Sequence, residues 1–553
     1  MTQKSSSAAL KRLPAFLIFS AALLLAVSAN AQRSTMTTHV PEEVSSGVAP
    51  LVGYVSGEER LSLAISLPLR NQAELDQLLQ DLYDPQSPSY HKYLSVQEFT
   101  ERFGPAATDF AAVRAYAEAN GLDIIDTPAN RMVLDVEGPA SNIQNAFHVT
   151  LGVYQHPTEN RTFYAPDREP TVDLDVPLLH ISGLDNFSIP KPKFIEPSDD
   201  PSSVISNTKG SGPGGSYLGS DLRAAYYGSG SLNGAGQIVG IFSLKGYEMS
   251  DITNYFNNAG EPLNVPIKAI SVNGASTTCP PSSCNDGEQS LDIEQAISMA
   301  PGMSQLSFYV GKSNVSVINQ MAADNTAKTL SCSWGWKDNE SSLDPIFEEM
   351  ASQGQSFFVA TGDQGSGTAA NVVWPSDDPY VIAVGGTVLT TKSAGGAWSS
   401  ETGWDNSAGM PSPNKVPIPT WQQTAGVITG SNHGSTTLRN IPDVSSESNA
   451  SQYVCYQGLC ANHGGGTSYA APLWASLAAM MNEQAAANGD ANVGFLNPTL
   501  YSLGLGSNFT SDFHDITSGS NGKYTAVKNY DLVTGWGSPQ GVNLINAFAP
   551  AKK

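Results

Sequence analysis

The chain of 553 residues carries one serine in a setting that suits a nucleophile. Ser468 lies in the stretch 465–472, GGTSYAAP, a turn of small residues ahead of an apolar helical pattern. A serine hydroxyl becomes an effective nucleophile only when a neighbouring base takes its proton. The sequence must therefore supply a base that reaches Ser468.

None of the eight histidines has a sequence setting suited to that task. His433 and His514 stand in Gly/Ser/Asn/Asp-rich loops, and His463 lies on the short segment that must deliver the serine itself. We expect them to be solvated or structural, and we keep a histidine-dependent enzyme that uses His433 or His463 as an alternative. The other five lie in a segment that we predict to be removed: His39, His91, His148, His156 and His180.

Two carboxylates in the stretch 285–302, NDGEQSLDIEQAISMAPG, can replace the missing imidazole. Asn285 or Asp286 can cap a helix there, its apolar residues give it one buried side, and a Pro-Gly pair ends it. Glu288 and Asp292 are four residues apart and therefore project from the same helix face. Such a pair can share a proton. The alternative is that both residues only stabilise the helix dipole.

A third carboxylate follows a buried strand. The stretch 357–366, FFVATGDQGS, predicts a parallel strand and a glycine-rich loop, which places Asp363 where open α/β sheets build their sites. A protonated aspartate there can donate a hydrogen bond to the oxyanion of a tetrahedral intermediate. Alternatively, Asp363 only forms a turn with its own loop.

Together these motifs resemble the sedolisins, or serine-carboxyl peptidases. Glu288 and Asp292 match the Glu-x-x-x-Asp pair of that family, Asp363 matches its oxyanion aspartate, and Ser468 matches its Gly-Thr-Ser nucleophile. Further segments agree with the family: 331–335 (SCSWG), 374–376 (WPS) through 385–387 (GGT), and 515–517 (DIT) through 534–539 (TGWGSP).

The resemblance implies an endopeptidase that forms an acyl-enzyme on Ser468. Glu288 would be the general base, Asp292 would orient it and hold the shared proton, and Asp363 would stabilise the oxyanion. A glutamate can still act as a base at a pH at which imidazole is already protonated. We therefore expect the peptidase activity to have its optimum on the order of pH 3–5. Tripeptide release and an inactive binding protein on the same fold remain alternatives.

The C-terminal loops are expected to hold one Ca²⁺ ion. Asp515 and Asp531 supply carboxylates, and the stretch between them can return the chain so that main-chain carbonyls join them. By the resemblance the remaining ligands would be the carbonyls of Ile516, Val527 and Asn529. The family often has glycine where Val527 and Asn529 stand here, and a turn without metal is the alternative.

The sequence predicts four consecutive regions. Residues 1–31 have the basic start, apolar run and small-residue end of a secretory signal. Residues 32–188 predict an α+β, ferredoxin-like prodomain that resembles kumamolisin-like propeptides and would block the cleft as an intramolecular inhibitor. Residues 189–215 form a Pro/Gly/Ser-rich linker, within which we expect maturation cleavage. Residues 216–553 would be the peptidase domain.

The predicted fold of the peptidase domain is α/β and subtilisin-like. Short apolar runs alternate with helical patterns, which indicates a mainly parallel sheet with helices on both faces. We predict strands at 236–244, 267–272, 306–310, 329–334, 356–360 and 381–384.

Composition and cysteines bound the remaining possibilities. The chain has 51 acidic and 28 basic residues, a formal charge of −23, so we expect no basic surface for nucleic acid. Because basic residues are few, the repulsion between positive charges that remains when carboxylates are neutralised in acid is limited. Each of the pairs Cys279/Cys284 and Cys455/Cys460 can close a disulfide, with a zinc site as the alternative, and Cys332 is expected to be a buried thiol. We expect a secreted monomer that acts on protein or peptide substrates. We expect no association with a membrane once the signal segment is removed.

Overall fold

A computed structural model describes residue 1 and residues 34–197, 209–337, 341–366 and 373–552. The predicted signal segment 1–31 lies almost wholly outside these residues, as does the middle of the predicted linker, so the four domain boundaries stay predictions. Among the described residues, no helix has both the length and the apolar character needed to span a membrane.

The N-terminal domain contains nine strands and five helices within the described residues. In chain order they are β1 (Ser34–Thr35), α1 (Glu42–Ser45), β2 (Leu51–Tyr54), β3 (Arg60–Ser66), α2 (Gln72–Tyr83), α3 (Val96–Arg102), α4 (Ala107–Ala119), β4 (Asp123–Asp126), β5 (Val133–Pro139), α5 (Ala140–Phe147), β6 (Leu151–Gln155), β7 (Thr162–Pro166), β8 (Thr171–Val172) and β9 (His180–Ser182).

The predicted ferredoxin-like arrangement is confirmed in this domain. Its main sheet is antiparallel with the strand order β4-β5-β3-β9, so the first strand of the motif lies between the third and the fourth. Helices α4 and α5 pack against this sheet around a core of their own, which contains Leu63, Val113 and Ile143. A second antiparallel sheet has the order β2-β6-β7.

After β10 (Lys191–Pro192), the second domain begins with α6 (Gly219–Tyr226). Its elements continue as β11 (Ile238–Ser243), α7 (Met249–Ala259), β12 (Ile267–Ser271), α8 (Gly287–Met299), β13 (Gln305–Val310), α9 (Asn314–Asp324), β14 (Thr329–Cys332), β15 (Trp334–Gly335), α10 (Asp344–Ser352), β16 (Ser356–Ala360), β17 (Ile382–Thr391), β18 (Trp398–Gly403), β19 (Met410–Pro411), β20 (Asn440–Ile441), β21 (Val444–Glu447), β22 (Gln452–Tyr456), β23 (Leu459–Gly464), α11 (Ala470–Asn488), α12 (Asn497–Gly504), α13 (Phe509–Asp512), β24 (Phe513–His514), β25 (Ser538–Pro539) and α14 (Gly541–Phe548).

The central sheet has the order β12-β13-β11-β14-β16-β17-β18, and β21 also pairs with β17. All of its pairings are parallel except β17 with β18, which confirms the predicted mainly parallel sheet. Helix α11 packs across β11, β14, β16 and β17 and contacts α8, whereas α9 and α10 form a second group that contacts β11, β13 and β16. The antiparallel edge strand β18 and the hairpin β22–β23 were not anticipated from sequence.

The N-terminal domain docks on α9 and α10. Tyr83 donates a hydrogen bond to the carbonyl of Ala351 at 2.6 Å, and Asn130 donates to Glu349 at 2.7 Å. Apolar residues of α2 and α3, among them Leu75 and Phe99, belong to the same buried cluster as the peptidase-side core. The two domains therefore share apolar packing as well as polar contacts.

Two buried histidines of the N-terminal domain predict how it responds to acid. The rings of His39 and His180 stack at 4.1 Å, and His39 Nε2 accepts the backbone N–H of Ile181 at 3.1 Å. Burial lowers the pKa of His39 to about 4 and that of His180 to about 3. Because both folded-state pKa values lie below the ordinary 6.5, their contribution to stability is complete above about pH 6.5 and is lost as the pH falls towards 4.

Replacing one ring of this stack should therefore reduce acid sensitivity. In a precursor with Ser468→Ala, we expect His180→Phe to keep the stacking, remove one protonation site, and reduce the loss of stability between pH 6.5 and 4 by about 1 kcal/mol or more. Thermal unfolding at the two pH values measures this, with His433→Phe in an exposed loop as the control. An equal loss in both variants would contradict the prediction.

Candidate active site

Ser468 is delivered by a tight turn just before α11. Gly466 in this turn has φ +124°, and an added Cβ would lie 2.5 Å from the Lys193 carbonyl oxygen and 2.7 Å from Asp363 Oδ2. Only glycine combines that backbone angle with such close approach. The turn therefore brings Ser468 beside two oxygens that border one small space.

The hydroxyl of Ser468 lies against Glu288. Its Oγ is 3.0 Å from Glu288 Oε2, and both side chains are buried. Burial, and then the neighbouring Asp292 charge, raises the pKa of Glu288 well above its ordinary value. Glu288 Oε1 is buried and has no hydrogen-bond partner among the described residues. The base predicted from sequence is thus in hydrogen-bond contact with the predicted nucleophile.

Asp292 lies one turn further along α8. Its Oδ1 accepts a hydrogen bond from Ser333 Oγ at 2.6 Å, and burial raises the pKa of Asp292 well above its ordinary value. Glu288 and Asp292 are close enough for their charges to interact, as the same-face spacing predicted. Such a pair of buried carboxyls favours states that retain a proton.

The helix that carries both carboxyls differs from the prediction in two respects. We expected one buried side, but all residues of α8 are buried, including Gln289, Ser290 and Glu294. Contacts with α6, α7, α11 and β22 enclose it on several sides. Asp286 makes no side-chain cap, whereas Asn285 Oδ1 accepts the backbone N–H of Gly287 at 2.9 Å.

Asp363 follows β16 at the carboxyl end of the central sheet. Its Oδ1 accepts the backbone N–H of Thr467 at 2.7 Å and the Thr467 hydroxyl at 2.9 Å. Its Oδ2 is buried and has no partner within the described part of the chain. Burial raises the pKa of Asp363 to about 7. In acid this carboxyl is neutral, and an Oδ2 proton would point into the space beside Ser468.

The histidine alternative is wrong. His433 lies on an exposed loop and His463 on β23, and no histidine of the described residues is within hydrogen-bond distance of Ser468. His514 instead stacks on Trp398 at 4.0 Å. A carboxylate is therefore the nearest base to the hydroxyl.

The cleft is crossed by residues 191–196 of the same chain. Lys191 and Pro192 pair antiparallel with β15, and Ile195 exchanges backbone hydrogen bonds with Gly465 at 2.8 and 3.2 Å. The carbonyl oxygen of Lys193 is in hydrogen-bond contact with Ser468 Oγ. Because a hydroxyl has one proton, Glu288 and this carbonyl compete for it.

Sequence reasoning missed Ser333, Thr467 and this covering segment. Ser333 lies between β14 and β15, and the sequence indicated it only as one residue of the motif at 331–335. Thr467 directly precedes Ser468, and its hydroxyl could have been predicted to bind Asp363. The covering residues Lys193 and Phe194 carry no local signal, because their position depends on how the two domains dock.

The predicted calcium residues lie on neighbouring loops. Asp531 is fully buried and accepts the backbone N–H of Val527 at 2.9 Å, and Asp515 accepts that of Asn529 at 3.0 Å. Burial raises the pKa of Asp531 to about 7. In the described ranges no group of three or more His, Cys, Asp or Glu side chains could hold a metal, so an ion here would depend on main-chain oxygens. The carboxyls of Asp515 and Asp531 and the main-chain carbonyls of Ile516, Val527 and Asn529 are all oxygen ligands, the type that Ca²⁺ prefers.

The cysteines form the two short-range disulfides Cys279–Cys284 and Cys455–Cys460, and Cys332 is a buried thiol. This outcome confirms the disulfide prediction for both pairs. The zinc alternative is wrong, because all four sulfurs are in covalent pairs.

Family models match both domains. The model described as Pro-kumamolisin, activation domain, matches residues 49–187, and the Subtilase family model matches residues 268–496. Kumamolisin of Bacillus sp. (strain MN-32) is 30% identical over 533 residues, which cover 90% of this chain and 93% of that protein. Sedolisin of Pseudomonas sp. (strain 101) is 30% identical over 544 residues, which cover 89% and 87%, respectively.

More distant relatives and a solved structure extend the comparison. Tripeptidyl-peptidase 1 of Mus musculus is 24% identical over 532 residues, covering 88% of this chain and 91% of that protein. The structure of Pseudomonas sedolisin (serine-carboxyl proteinase) complexed with two molecules of pseudo-iodotyrostatin aligns with a TM-score of 0.52 at 28% identity, covering 61% of this chain and 97% of that chain.

The raised pKa of Asp363 predicts a loss of stability in base. Because its folded-state value of about 7 exceeds the ordinary 3.8, its contribution is complete below about pH 4 and is lost as the pH rises through 7. In the Ser468→Ala precursor, Asp363→Asn should reduce the stability lost between pH 5 and 8 by about 2–3 kcal/mol. Denaturant unfolding at both pH values measures it, and the exposed Asp405→Asn is the control. Equal losses in all three proteins would contradict this.

Proposed function

The chain belongs to the sedolisin family of serine peptidases and carries the activation domain of a precursor, and from this premise we propose that it is an acid-acting endopeptidase. The observation that carries this proposal is the 3.0 Å contact between Ser468 Oγ and Glu288 Oε2. Ser468 would attack a peptide carbonyl while Glu288 takes its proton, with Asp292 holding a shared proton on the pair.

The oxyanion would be stabilised by Asp363 and by the backbone N–H of Ser468. That N–H already donates a hydrogen bond, at 3.3 Å, to the carbonyl oxygen of Lys193, which lies in the cleft. Asp363 would donate from Oδ2, the buried oxygen that no described residue satisfies. This role needs the protonated carboxyl, and its pKa of about 7 supports work in acid. As the tetrahedral intermediate collapses to the acyl-enzyme, Glu288 would return the proton to the leaving amine, and it would then activate the water that hydrolyses the ester.

Cleavage inside chains, rather than release of tripeptides, is supported by how the cleft is filled. The chain contacts the peptidase side on both sides of Ser468. Ser188, three residues before the covering segment, accepts the backbone N–H of Lys337 at 3.1 Å, and Glu196, the last residue of that segment, accepts a hydrogen bond from Asn285. A cleft built for tripeptide release would close three residues before the bond. This one accommodates six residues from Ser188 to Lys193.

Secretion is part of the proposal. The disulfides Cys279–Cys284 and Cys455–Cys460 support an oxidising compartment, in agreement with the signal segment predicted at 1–31. Maturation by cleavage within residues 189–215 would release the domain of residues 32–188, which would act as the intramolecular inhibitor.

We expect the self-processed enzyme to cut a peptide with a blocked N-terminus. At pH 4 an acetylated decapeptide with a central lysine should be cleaved internally, and the rate should fall at least about tenfold by pH 8 as Asp363 loses its proton. Mass spectrometry of the products measures this, with Ser468→Ala as the control. Cleavage only of peptides with free N-termini, three residues at a time, would favour the tripeptidyl alternative, and equal rates at both pH values would contradict acid action.

We further propose that Asp515, Asp531 and the carbonyls of Ile516, Val527 and Asn529 bind one Ca²⁺ ion. When bound, the ion would supply positive charge to a buried carboxyl and tie the two loops together. The carboxyl of Asp531 accepts three backbone N–H groups, from Val527, Val533 and Thr534, so it is held in one orientation before any ion binds.

Calcium should raise the melting temperature of the Ser468→Ala precursor by several degrees at 1 mM, because a ligand that binds only the folded state stabilises it. Asp515→Asn should remove this response, and the exposed Asp405→Asn should keep it. Thermal melts with EDTA and with added Ca²⁺ measure the effect. No difference between EDTA and Ca²⁺ in the unsubstituted site would contradict calcium binding.

A further inference from the structure

The covering segment lies in the cleft as an extended strand. Lys191 pairs with Gly335 and Pro192 with Trp334 in antiparallel register, and the backbone N–H of Lys193 donates to the carbonyl of Ser333 at 2.9 Å. Downstream, Ile195 pairs with Gly465 through two backbone hydrogen bonds. The chain is therefore held on both sides of one peptide group, the group between Lys193 and Phe194.

The carbonyl of that peptide group faces the nucleophile. Its oxygen contacts Ser468 Oγ and accepts the Ser468 backbone N–H at 3.3 Å. The same oxygen borders the space into which Asp363 Oδ2 points, since both would collide with a Cβ at Gly466. No other described carbonyl of the covering segment hydrogen-bonds to Ser468.

We infer that Ser468 first cleaves this chain between Lys193 and Phe194, and that the cleft selects lysine before the cut bond and an aromatic residue after it. This inference rests on the proposed function and names the bond and the substrate class for the same site. The sequence alone had limited maturation only to residues 189–215.

The step balances with water as the one co-reactant. Ser468 Oγ adds to the carbonyl carbon of Lys193 and gives its proton to Glu288. The C–N bond to Phe194 then breaks, and Glu288 returns the proton to the departing nitrogen. Water hydrolyses the ester on Ser468 and leaves a carboxyl at Lys193 and a new N-terminus at Phe194.

The side chain of Lys193 occupies a pocket that suits it. The residue is 6% exposed, its ammonium donates a hydrogen bond to the Ala360 carbonyl at the end of β16, and the adjoining cavity measures about 210 Å³. Burial lowers the pKa of Lys193 to about 8, and the nearby carboxyls of Asp363 and Asp377 act in the opposite direction. Lysine is therefore cationic at acidic pH and satisfies an acceptor that methionine, of similar length, would leave unpaired.

Phe194 occupies a separate apolar site on the other side of the bond. Its ring lies 5.8 Å from Tyr456 in an edge-to-face arrangement and 6.4 Å from Tyr469, and it packs against the buried cluster that contains Leu291. A Cβ at Gly287 would lie 2.5 Å from this ring, so the absence of a side chain there makes room for it. The two pockets thus recognise different chemistry on the two sides of the bond.

The test follows the first cut of the full precursor at pH 4 by intact mass and N-terminal sequencing at the earliest times. We expect a new N-terminus at Phe194, absent in Ser468→Ala. Lys193→Met should slow this cut at least about tenfold, because the Ala360 acceptor is left without a donor. Lys268→Met, which replaces an exposed lysine on the edge strand β12, should process at the unchanged rate. A first N-terminus anywhere else, or equal rates for Lys193→Met and the parent, would overturn the inference.

A second measurement separates this inference from the proposed function. The mature enzyme is given an acetylated peptide of residues 188–197 and, separately, a denatured protein. Cleavage of both, with the peptide cut between lysine and phenylalanine, supports the inference. Cleavage of the denatured protein without cleavage of the Lys-Phe bond overturns the inference alone. Cleavage of neither substrate, with a precursor that stays intact, overturns the proposed function as well.

Discussion

The proposed chemistry of this protein depends on burying acidic side chains around the serine nucleophile. Glu288 and Asp292 lie on a helix that is enclosed on all sides, and Asp363 lies at the buried end of the central sheet. Removing carboxyls from water favours their neutral form, so Asp363 keeps its proton to a higher pH than usual, and the Glu288–Asp292 pair keeps one proton between its two carboxyls. In the proposed mechanism, the Glu288–Asp292 pair, which shares one proton, is the base for Ser468, and neutral Asp363 donates a hydrogen bond to the oxyanion. Histidine has no part in this arrangement.

The buried carboxyls beside Ser468 and the stacked histidines of the N-terminal domain respond to acid in opposite directions. The peptidase-side carboxyls, such as Asp363, are neutral and stable in acid, whereas the stacked His39 and His180 of the N-terminal domain must take up charge there. At the interface, burial raises the pKa of Glu349 to about 8, so this carboxyl, which Asn130 contacts, is also neutral in acid and behaves like those of the peptidase side. Falling pH therefore charges the buried histidine stack of the N-terminal domain while the peptidase-side carboxyls stay neutral, and the covering segment lies between the two domains.

Much of the fold, and the set of candidate site residues that the structure brings together, could be predicted from the sequence. The apolar run of β16 and the spacing of Glu288 and Asp292 are local signals, and the strand predicted at 356–360 coincides with β16. The predictions that were wrong or missing concern contacts between residues far apart in the chain. The all-round burial of α8 arises from helices and strands far apart in the chain, and the edge strand β18 pairs with a strand that was predicted too short. The position of Lys193 over Ser468 follows from domain docking, for which a single sequence has no periodic signal.

The most direct test of the central claim is the rate at which Ser468 is acylated in single turnover at pH 4–5 by enzyme that carries Glu288→Gln. The substitution preserves size and removes the base, so we expect the acylation rate constant to fall by at least about a thousandfold, and His463→Ala to leave it unchanged. An acylation rate that survives Glu288→Gln but is lost on replacing a histidine would contradict the claim that a carboxylate deprotonates Ser468.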